Sequence, residues 1–252
     1  MQAVVKGSTM PVLEIELAPG EAVISAHGEL SWMSANMQMS QTTNTGGPGG
    51  GGFMGAIKRA VGGGGIFLTQ YQAQGGTGLV AFAAKVPGHI VPVDIAPGRG
   101  VLVHRHGWVC GTPGISPTVA LQQSFRGGLW GGEGFVLQRL HGQGRAWIEL
   151  SGELTQYTLA PGQTMLVHPG HVGMFDEQVQ FTITRVPGIA NKIFGGDGYH
   201  LVALTGPGQI WLQSMPLSGL AHALEPYLAR DAATAGAEGA GIGSIVGGIL
   251  RS

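Results

Sequence analysis

The sequence predicts an all-β protein made of short strands and tight turns. Glycine accounts for 47 of the 252 residues, while charged residues make up only 11% and apolar residues 43%. That composition is too apolar and too weakly charged for a disordered chain. The glycines lack collagen's period of three, and coiled coils need heptads rich in Glu and Lys. Alternating apolar runs between Gly- and Pro-containing turns therefore indicate packed sheets.

A repeated motif indicates how these sheets are organised. Ala-Pro-Gly occurs at residues 18–20, 96–98 and 160–162, each time between two strand-like runs. Pro followed by Gly is typical of a type II turn, so each motif predicts a β-hairpin. A Gly-Gly-x-Gly motif and then a Gly-x-Gly motif follow each hairpin. We therefore expect a pseudo-three-fold repeat of hairpin units that forms packed sheets, at spacings of 78 and 64 residues.

Aromatic residues recur within the later copies. Trp147 and Trp211 follow the Gly-x-Gly motif at the same distance, and a small residue stands there in the first copy, with Phe82 nearby. We expect these aromatic side chains to be core residues at equivalent positions.

Two segments interrupt the β pattern and are the expected contact regions. We divide the chain into one β domain, residues 1–215, and a C-terminal helix with a Gly/Ala-rich tail, residues 216–252. A short inserted helix is predicted over 53–61. Its apolar residues could form one face with Lys58 and Arg59 on another, which is typical of a surface helix that closes a loop or of a docking helix. The tail is either flexible or an apolar contact segment. The predicted contacts to a partner subunit or membrane surface are Phe53, Ile57, Lys58, Arg59, Ile242, Ile245 and Val246.

Charge and cysteine content bear on the compartment and the partners. With 13 basic and 14 acidic residues, the net charge of −1 provides no field that would attract nucleic acid. A single cysteine permits no intrachain disulfide, and we find no secretory signal or membrane-spanning run. We expect a cytoplasmic protein that can also bind a membrane peripherally.

Histidines provide the one metal-site hypothesis. His104 and His106 alternate along a predicted strand as in the first half of a cupin metal motif, and His168 with His171 resembles a second half. The Glu that this motif requires after the second His is missing. The repeats instead favour inherited histidines beside turns. We expect no metal and no cofactor, and keep a cupin-like metal protein as the alternative.

The sequence shows no pattern typical of nucleophilic catalysis or nucleotide binding, and only a weak one for nucleic-acid binding. Cys110 lies in an apolar context without a neighbouring base, which predicts a buried, inert thiol. No nucleophile elbow, phosphate loop or dinucleotide motif is present, so we expect no enzyme. Arg126, Arg139 and Arg145, near Trp147, could form a basic nucleic-acid patch, but solvated strand faces explain them more simply.

The ordered motifs resemble those of the altered-inheritance-of-mitochondria protein twenty-four family. The resemblance covers about residues 3–215 and is carried by stretches such as MPVLEIELAPGEAV from Met10, GGEGFVLQRLHGQGRAWIEL from Gly131 and FGGDGYHLVALTGPGQIWLQS from Phe194. It implies a β fold akin to that of the tryptophan RNA-binding attenuation protein and to double-stranded β-helices. It also implies oligomerisation. The mitochondrial relatives are tied to inner-membrane organisation without an accepted enzymatic activity.

Together these observations predict a non-enzymatic homo-oligomeric scaffold or binding protein. RNA binding is a second alternative that depends on fold analogy alone, which does not determine function.

Overall fold

The computed structural model describes residues 1–43, 67–123, 135–185 and 200–217, together with part of the stretch from 219 to 227. Nearly all regular structure in these ranges is β-strand, so the predicted all-β class is confirmed. A single 3-10 turn is described at Pro169–His171. The described residues between 217 and 227 include helical positions where a C-terminal helix was predicted. No helix in the described ranges is long and apolar enough to cross a membrane.

The described strands fall into three consecutive segments, which we call segments 1, 2 and 3. Segment 1 is preceded by β1 (Gln2–Lys6) and comprises β2 (Val12–Leu17), β3 (Ala22–Ala26), β4 (Trp32–Met33), β5 (Met37–Thr43), β6 (Phe67–Ala73) and β7 (Gly78–Ala83). Segment 2 comprises β8 (Gly88–Ile95), β9 (Val101–His104), β10 (Trp108–Gly111), β11 (Ile115–Gln123), β12 (Phe135–Gly142) and β13 (Gly144–Ser151). Segment 3 comprises β14 (Leu154–Leu159), β15 (Thr164–Val167), β16 (Val172–Asp176), β17 (Gln180–Arg185), β18 (His200–Thr205) and β19 (Gly208–Gln213).

The six strands of each segment pair in the same way. The first and third strands both pair with the sixth, as β2 and β4 do with β7. The second and fourth both pair with the fifth, as β3 and β5 do with β6. Segments 2 and 3 repeat these four antiparallel pairings strand for strand. Each segment therefore has its first, third and sixth strands in one sheet and its second, fourth and fifth strands in another.

Neighbouring segments are joined edge to edge. The second strand of one segment pairs with the third strand of the next, as β3 does with β10 and β9 with β16. This pairing produces two six-stranded sheets, β5-β6-β3-β10-β13-β8 and β11-β12-β9-β16-β19-β14. The remaining strands form the sheets β1-β2-β7-β4 and β15-β18-β17 at the two ends of the arrangement.

The Ala-Pro-Gly motifs form the predicted turns but not the predicted hairpins. In each turn the Gly has a φ between 73° and 83°, and the next residue donates its N–H to the Ala carbonyl oxygen at 2.9 to 3.0 Å. Those features agree with a type II turn. The strands that flank each turn, however, belong to different sheets and do not pair with each other. The hairpin interpretation of these motifs is wrong, because each turn carries the chain across from one sheet to the other.

Three apolar cores lie between the half-sheets. In segment 1, Tyr71 from one sheet meets Phe82 from the other, with ring centroids 5.7 Å apart. Trp147 of segment 2 is 2% exposed and also packs in this first core, while Trp211 of segment 3 packs against the second core. Trp147 is thus a buried core residue and Trp211 a partly buried one, and each connects its own segment to the preceding one.

Candidate interaction site at the two sheet ends

Apart from the added strand β1, the two terminal sheets are complementary halves of the six-stranded sheets. β4 is the third strand of its segment, and in segments 2 and 3 the outer edge of that strand is paired with the preceding segment. β15 is a second strand, and in segments 1 and 2 the outer edge of that strand is paired with the following segment. Among the described residues, no strand pairs with the outer edge of β4 or of β15. We call these the β4 edge and the β15 edge.

Trp32 identifies the β4 edge as an apolar surface. It lies opposite Ala81, as Cys110 lies opposite Trp147 and Met174 opposite Trp211. Cys110 and Met174 are 0% and 1% exposed, since strands of the preceding segment cover them. Trp32 is 45% exposed. A position that is buried at both internal junctions therefore presents a large aromatic side chain to solvent at this end.

Leu166 makes the β15 edge an exposed apolar surface as well. It lies four residues after the glycine of its Ala-Pro-Gly turn, in the position of Ile24 and Leu102. Ile24 is 2% exposed and packs in the second core, and Leu102 packs against the third. Leu166 is 55% exposed.

The edge strands β4 and β15 contain no Lys or Pro, although β4 is only two residues long. Proteins commonly protect edge strands with Lys or Pro. The edge strands β8 and β11 contain Pro92 and Pro117. β15 reads Thr-Met-Leu-Val and β4 reads Trp-Met, without a charge or a proline in either strand. The edge strands β5 and β14 lack charge and proline as well. What distinguishes β4 and β15 is the exposure of Trp32 and Leu166 at positions that the internal junctions cover.

The contact residues expected from sequence lie elsewhere in the chain. Phe53, Ile57, Lys58 and Arg59, together with Ile242, Ile245 and Val246, fall outside the described residues. Their role stays a prediction.

The histidines of the metal hypothesis are divided between two places. His104 donates from Nε2 to the carbonyl oxygen of Glu149 at 3.1 Å, and enclosure of its ring by protein lowers its pKa to about 4. His171 donates from Nδ1 to the carbonyl oxygen of Gln213 at 2.8 Å. Its ring centroid lies 5.7 Å from that of His168, whose pKa is lowered by burial and then by His171. Within the described ranges, no three His, Cys, Asp or Glu side chains are grouped as metal ligands would be.

The other singled-out side chains take part in local contacts. Cys110 is fully buried, as predicted, and burial raises the pKa of its thiol. Arg145 makes two hydrogen bonds to the carboxylate of Asp94, at 2.7 and 3.0 Å, and Arg139 pairs with Glu177. Arg126 lies outside the described residues. Both described arginines thus have carboxylate partners rather than forming an open basic patch.

An open groove of about 700 Å³ lies near the second and third Ala-Pro-Gly turns. Its lining includes Asp94, which pairs with Arg145, and Asp176, whose Oδ2 accepts the Gln209 N–H at 2.8 Å. Because both carboxylates already have partners in the fold, the groove is a weaker candidate site than the sheet ends.

Sequence reasoning did not identify Trp32 or Leu166 as interaction residues. The available signal was the alignment of Leu166 with Ile24 and Leu102 after the repeated turns. Exposure is what distinguishes these positions, and exposure depends on which strands pair.

These features define an all-β protein of three serially joined segments, with an apolar strand edge at each end that no described strand pairs with. The chain belongs to the mitochondrial biogenesis AIM24 family, whose model matches residues 3–215. This confirms the family that the motifs indicated.

Two streptococcal proteins are similar to this chain. An uncharacterized protein of Streptococcus pyogenes serotype M6 is 28% identical over 220 residues, which is 86% of this chain and 87% of that protein. The X-ray structure of a Streptococcus pyogenes protein has a TM-score of 0.69 at 24% identity, covering 90% of this chain and 99% of the solved one. That likeness shows the fold.

Proposed function

We propose that the protein is a non-enzymatic homo-oligomeric scaffold whose subunits associate through their two ends. The observation that carries this proposal is the exposure of Trp32 and Leu166, at 45% and 55%, in positions that the chain covers at its internal junctions. Exposed apolar side chains on uncharged, unpaired strand edges are typical of surfaces that bind other strands.

The contacts of the reactive side chains support a structural role. The Cys110 thiol is buried with a raised pKa, which opposes formation of the nucleophilic thiolate. The His104 ring nitrogen donates to a backbone carbonyl, where it stabilises the junction between β9 and β13.

A second copy of the chain is the partner that the ends fit best. Each chain offers both an outer second-strand edge and an outer third-strand edge, which are the two edges that pair at the internal junctions. With a net charge of −1, the chain provides little long-range repulsion between copies.

Size-exclusion chromatography with light scattering tests this proposal on the full chain at micromolar concentration. We expect a mass that is a multiple of the single-chain mass. The mass should persist in about 1 M NaCl, where the Debye length is about 3 Å, since the proposed contacts are apolar. A monomer at every concentration would overturn the proposal.

A further inference from the structure

We infer that copies of this chain join head to tail, with the β15 edge of one copy paired antiparallel to the β4 edge of the next. The pair would join the three strands β15-β18-β17 of one copy to the four strands β1-β2-β7-β4 of the next. Six strands of that seven-stranded sheet repeat the pairing order already present twice in the chain, and β1 is added at the outer edge. This inference rests on the proposed homo-oligomer and specifies its interface.

The internal junctions define the expected register. At the first junction Ser25 lies opposite Cys110, and at the second Val103 lies opposite Met174. Ser25, Val103 and Val167 each lie five residues after the glycine of their turn. Trp32 corresponds to Cys110 and Met174 through its pairing with the sixth strand.

The junctions therefore place Val167 of one copy opposite Trp32 of the next. By the same correspondence, Leu166 lies opposite Met33, as Ile24 lies opposite Gly111 and Leu102 opposite Phe175.

Side-chain direction agrees with this register. Met33 is partly buried against the first core, and Val167 packs in the third core. Leu166 points to the other face of its sheet, as Ile24 does, and Ile24 packs in the core of the following segment. In the joined sheet, Leu166 would enter the first core of the next copy beside Met33. Trp32 would cover the outer end of the third core beside Val167.

The position of Leu201 extends the apolar surface next to the β15 edge. Leu68 and Leu137 lie on the fifth strands opposite Ala26 and His104, and they are 1% and 0% exposed. Continuing the β15–β18 register by one residue places Leu201 opposite His168. Leu201 is only partly buried, unlike its two counterparts. The same following segment that would cover Leu166 would therefore cover Leu201.

The inferred contact joins two different edges, so it is heterologous. Such contacts produce a closed ring where the rotation closes and an open filament where it does not. A dimer held by a single strand pair between identical edges, β4 with β4 or β15 with β15, would instead be isologous. Variants that block one edge distinguish these arrangements.

Leu166→Lys blocks the β15 edge, and Trp32→Lys blocks the β4 edge. Both residues are substantially exposed, so the folded segments should tolerate a lysine there, and circular dichroism with a thermal melt checks that they do. In the head-to-tail arrangement, each variant alone has only one usable edge and should be monomeric. In an equimolar mixture, the Leu166→Lys chain supplies the usable β4 edge and the Trp32→Lys chain supplies the usable β15 edge. The mixture should therefore form a 1:1 dimer and nothing larger.

Sedimentation velocity on the wild-type chain, each variant and the mixture tests these outcomes. If the wild type is oligomeric and both variants keep its size, the edge pairing is overturned while the oligomeric scaffold stands. If Trp32→Lys still dimerises alone, two identical β15 edges meet and the head-to-tail arrangement is overturned. A monomeric wild type overturns both proposals.

Disulfide capture tests the register directly. Residues directly opposite in an antiparallel pair have Cα atoms about 4.5–5.5 Å apart, within the range of a disulfide. We expect mixed single variants Met33→Cys and Leu166→Cys, or Trp32→Cys and Val167→Cys, to form a covalent heterodimer on mild oxidation. The buried Cys110 stays in place in all of them.

Two controls set the background for this capture. Trp32→Cys mixed with Thr164→Cys is three residues out of register, about 10 Å along the strand, and should give no more than about a tenth of the in-register product. Wild-type chain under the same oxidation should give none. Equal yields from the in-register and out-of-register mixtures would overturn the register.

Discussion

Ile24 and Leu166 occupy the same position on β3 and β15, four residues after the glycine of their turns, yet Ile24 is 2% exposed and Leu166 is 55% exposed. Ile24 packs in the second core because segment 2 is built onto β3. No further described segment is built onto β15. The difference in exposure therefore measures what a following segment, or a second chain, would cover.

This relationship predicts different effects for the same substitution at the two positions. Ile24→Ser should lower the free energy of unfolding by about 3 kcal/mol, because it leaves a cavity and buries a hydroxyl. Leu166→Ser should change it by less than about 0.5 kcal/mol, yet weaken self-association by about tenfold or more. Urea denaturation at a concentration where the chain is monomeric measures the first quantity, and sedimentation velocity measures the second. Equal destabilisation at both positions would contradict the assignment of Leu166 to an open end.

His104 should make stability depend on pH below neutrality. Its pKa is about 4 in the folded chain, chiefly because burial disfavours the charged ring, against an ordinary value of 6.5. Above pH 6.5 the ring is neutral in both the folded and the unfolded chain, so His104 does not lower the free energy of unfolding there. As pH falls from 6.5 to about 4, the unfolded chain takes up the proton first, so stability decreases, by about 2 kcal/mol once the partial exposure of the ring is allowed for.

His104→Gln tests this dependence. Glutamine can still donate to the Glu149 carbonyl oxygen, but it does not titrate. The difference in unfolding free energy between pH 7 and pH 4 should therefore be smaller in this variant by the about 2 kcal/mol that His104 contributes. His27→Gln is the matched control, because the His27 side chain is exposed. An unchanged pH dependence in His104→Gln would rule out this histidine as its source.

Two glycines should respond differently to alanine. A Cβ at Gly88 would overlap the Leu150 carbonyl oxygen on the neighbouring strand β13, so Gly88→Ala should destabilise the chain by about 3 kcal/mol. At Gly162 nothing lies within 4 Å of a Cβ, but φ is +77°, so Gly162→Ala should cost only about 1 kcal/mol. Thermal or urea denaturation of both variants gives the comparison. The reverse order would contradict the close approach of β8 and β13.

The separation of the histidines predicts weak metal retention. His104 is occupied by a backbone contact, while His168 lies beside His171 with no third ligand grouped with them in the described ranges. Protein purified without chelator should carry less than about a tenth of an equivalent of Fe, Mn, Zn, Ni or Cu by elemental analysis. A full equivalent that is lost in a His168→Ala variant would instead support the metal-protein alternative.

The local part of the fold was readable from the sequence. Ala-Pro-Gly specifies a turn through the fixed φ of proline and the positive φ of glycine, and all three turns form as predicted. The buried Cys110 followed from its apolar surroundings, and the packed Trp147 followed from its position in the repeat.

Strand pairing was not readable in the same way. The turn between β2 and β3 looks like a hairpin turn, but β2 pairs with β1 before it and with β7, more than 60 residues further along the chain. A turn motif determines the direction in which the chain continues, but not which distant strand each flanking strand pairs with. β4 was missed because a two-residue strand has no detectable alternation, so the importance of Trp32 emerged only from its register with Ala81.

Sedimentation velocity on the equimolar mixture of Trp32→Lys and Leu166→Lys shows whether the two ends of the chain bind each other. Head-to-tail pairing of the β15 and β4 edges predicts that each variant alone sediments as a monomer and that the mixture sediments as a 1:1 dimer. A mixture that stays monomeric while the wild-type chain is oligomeric would contradict that pairing.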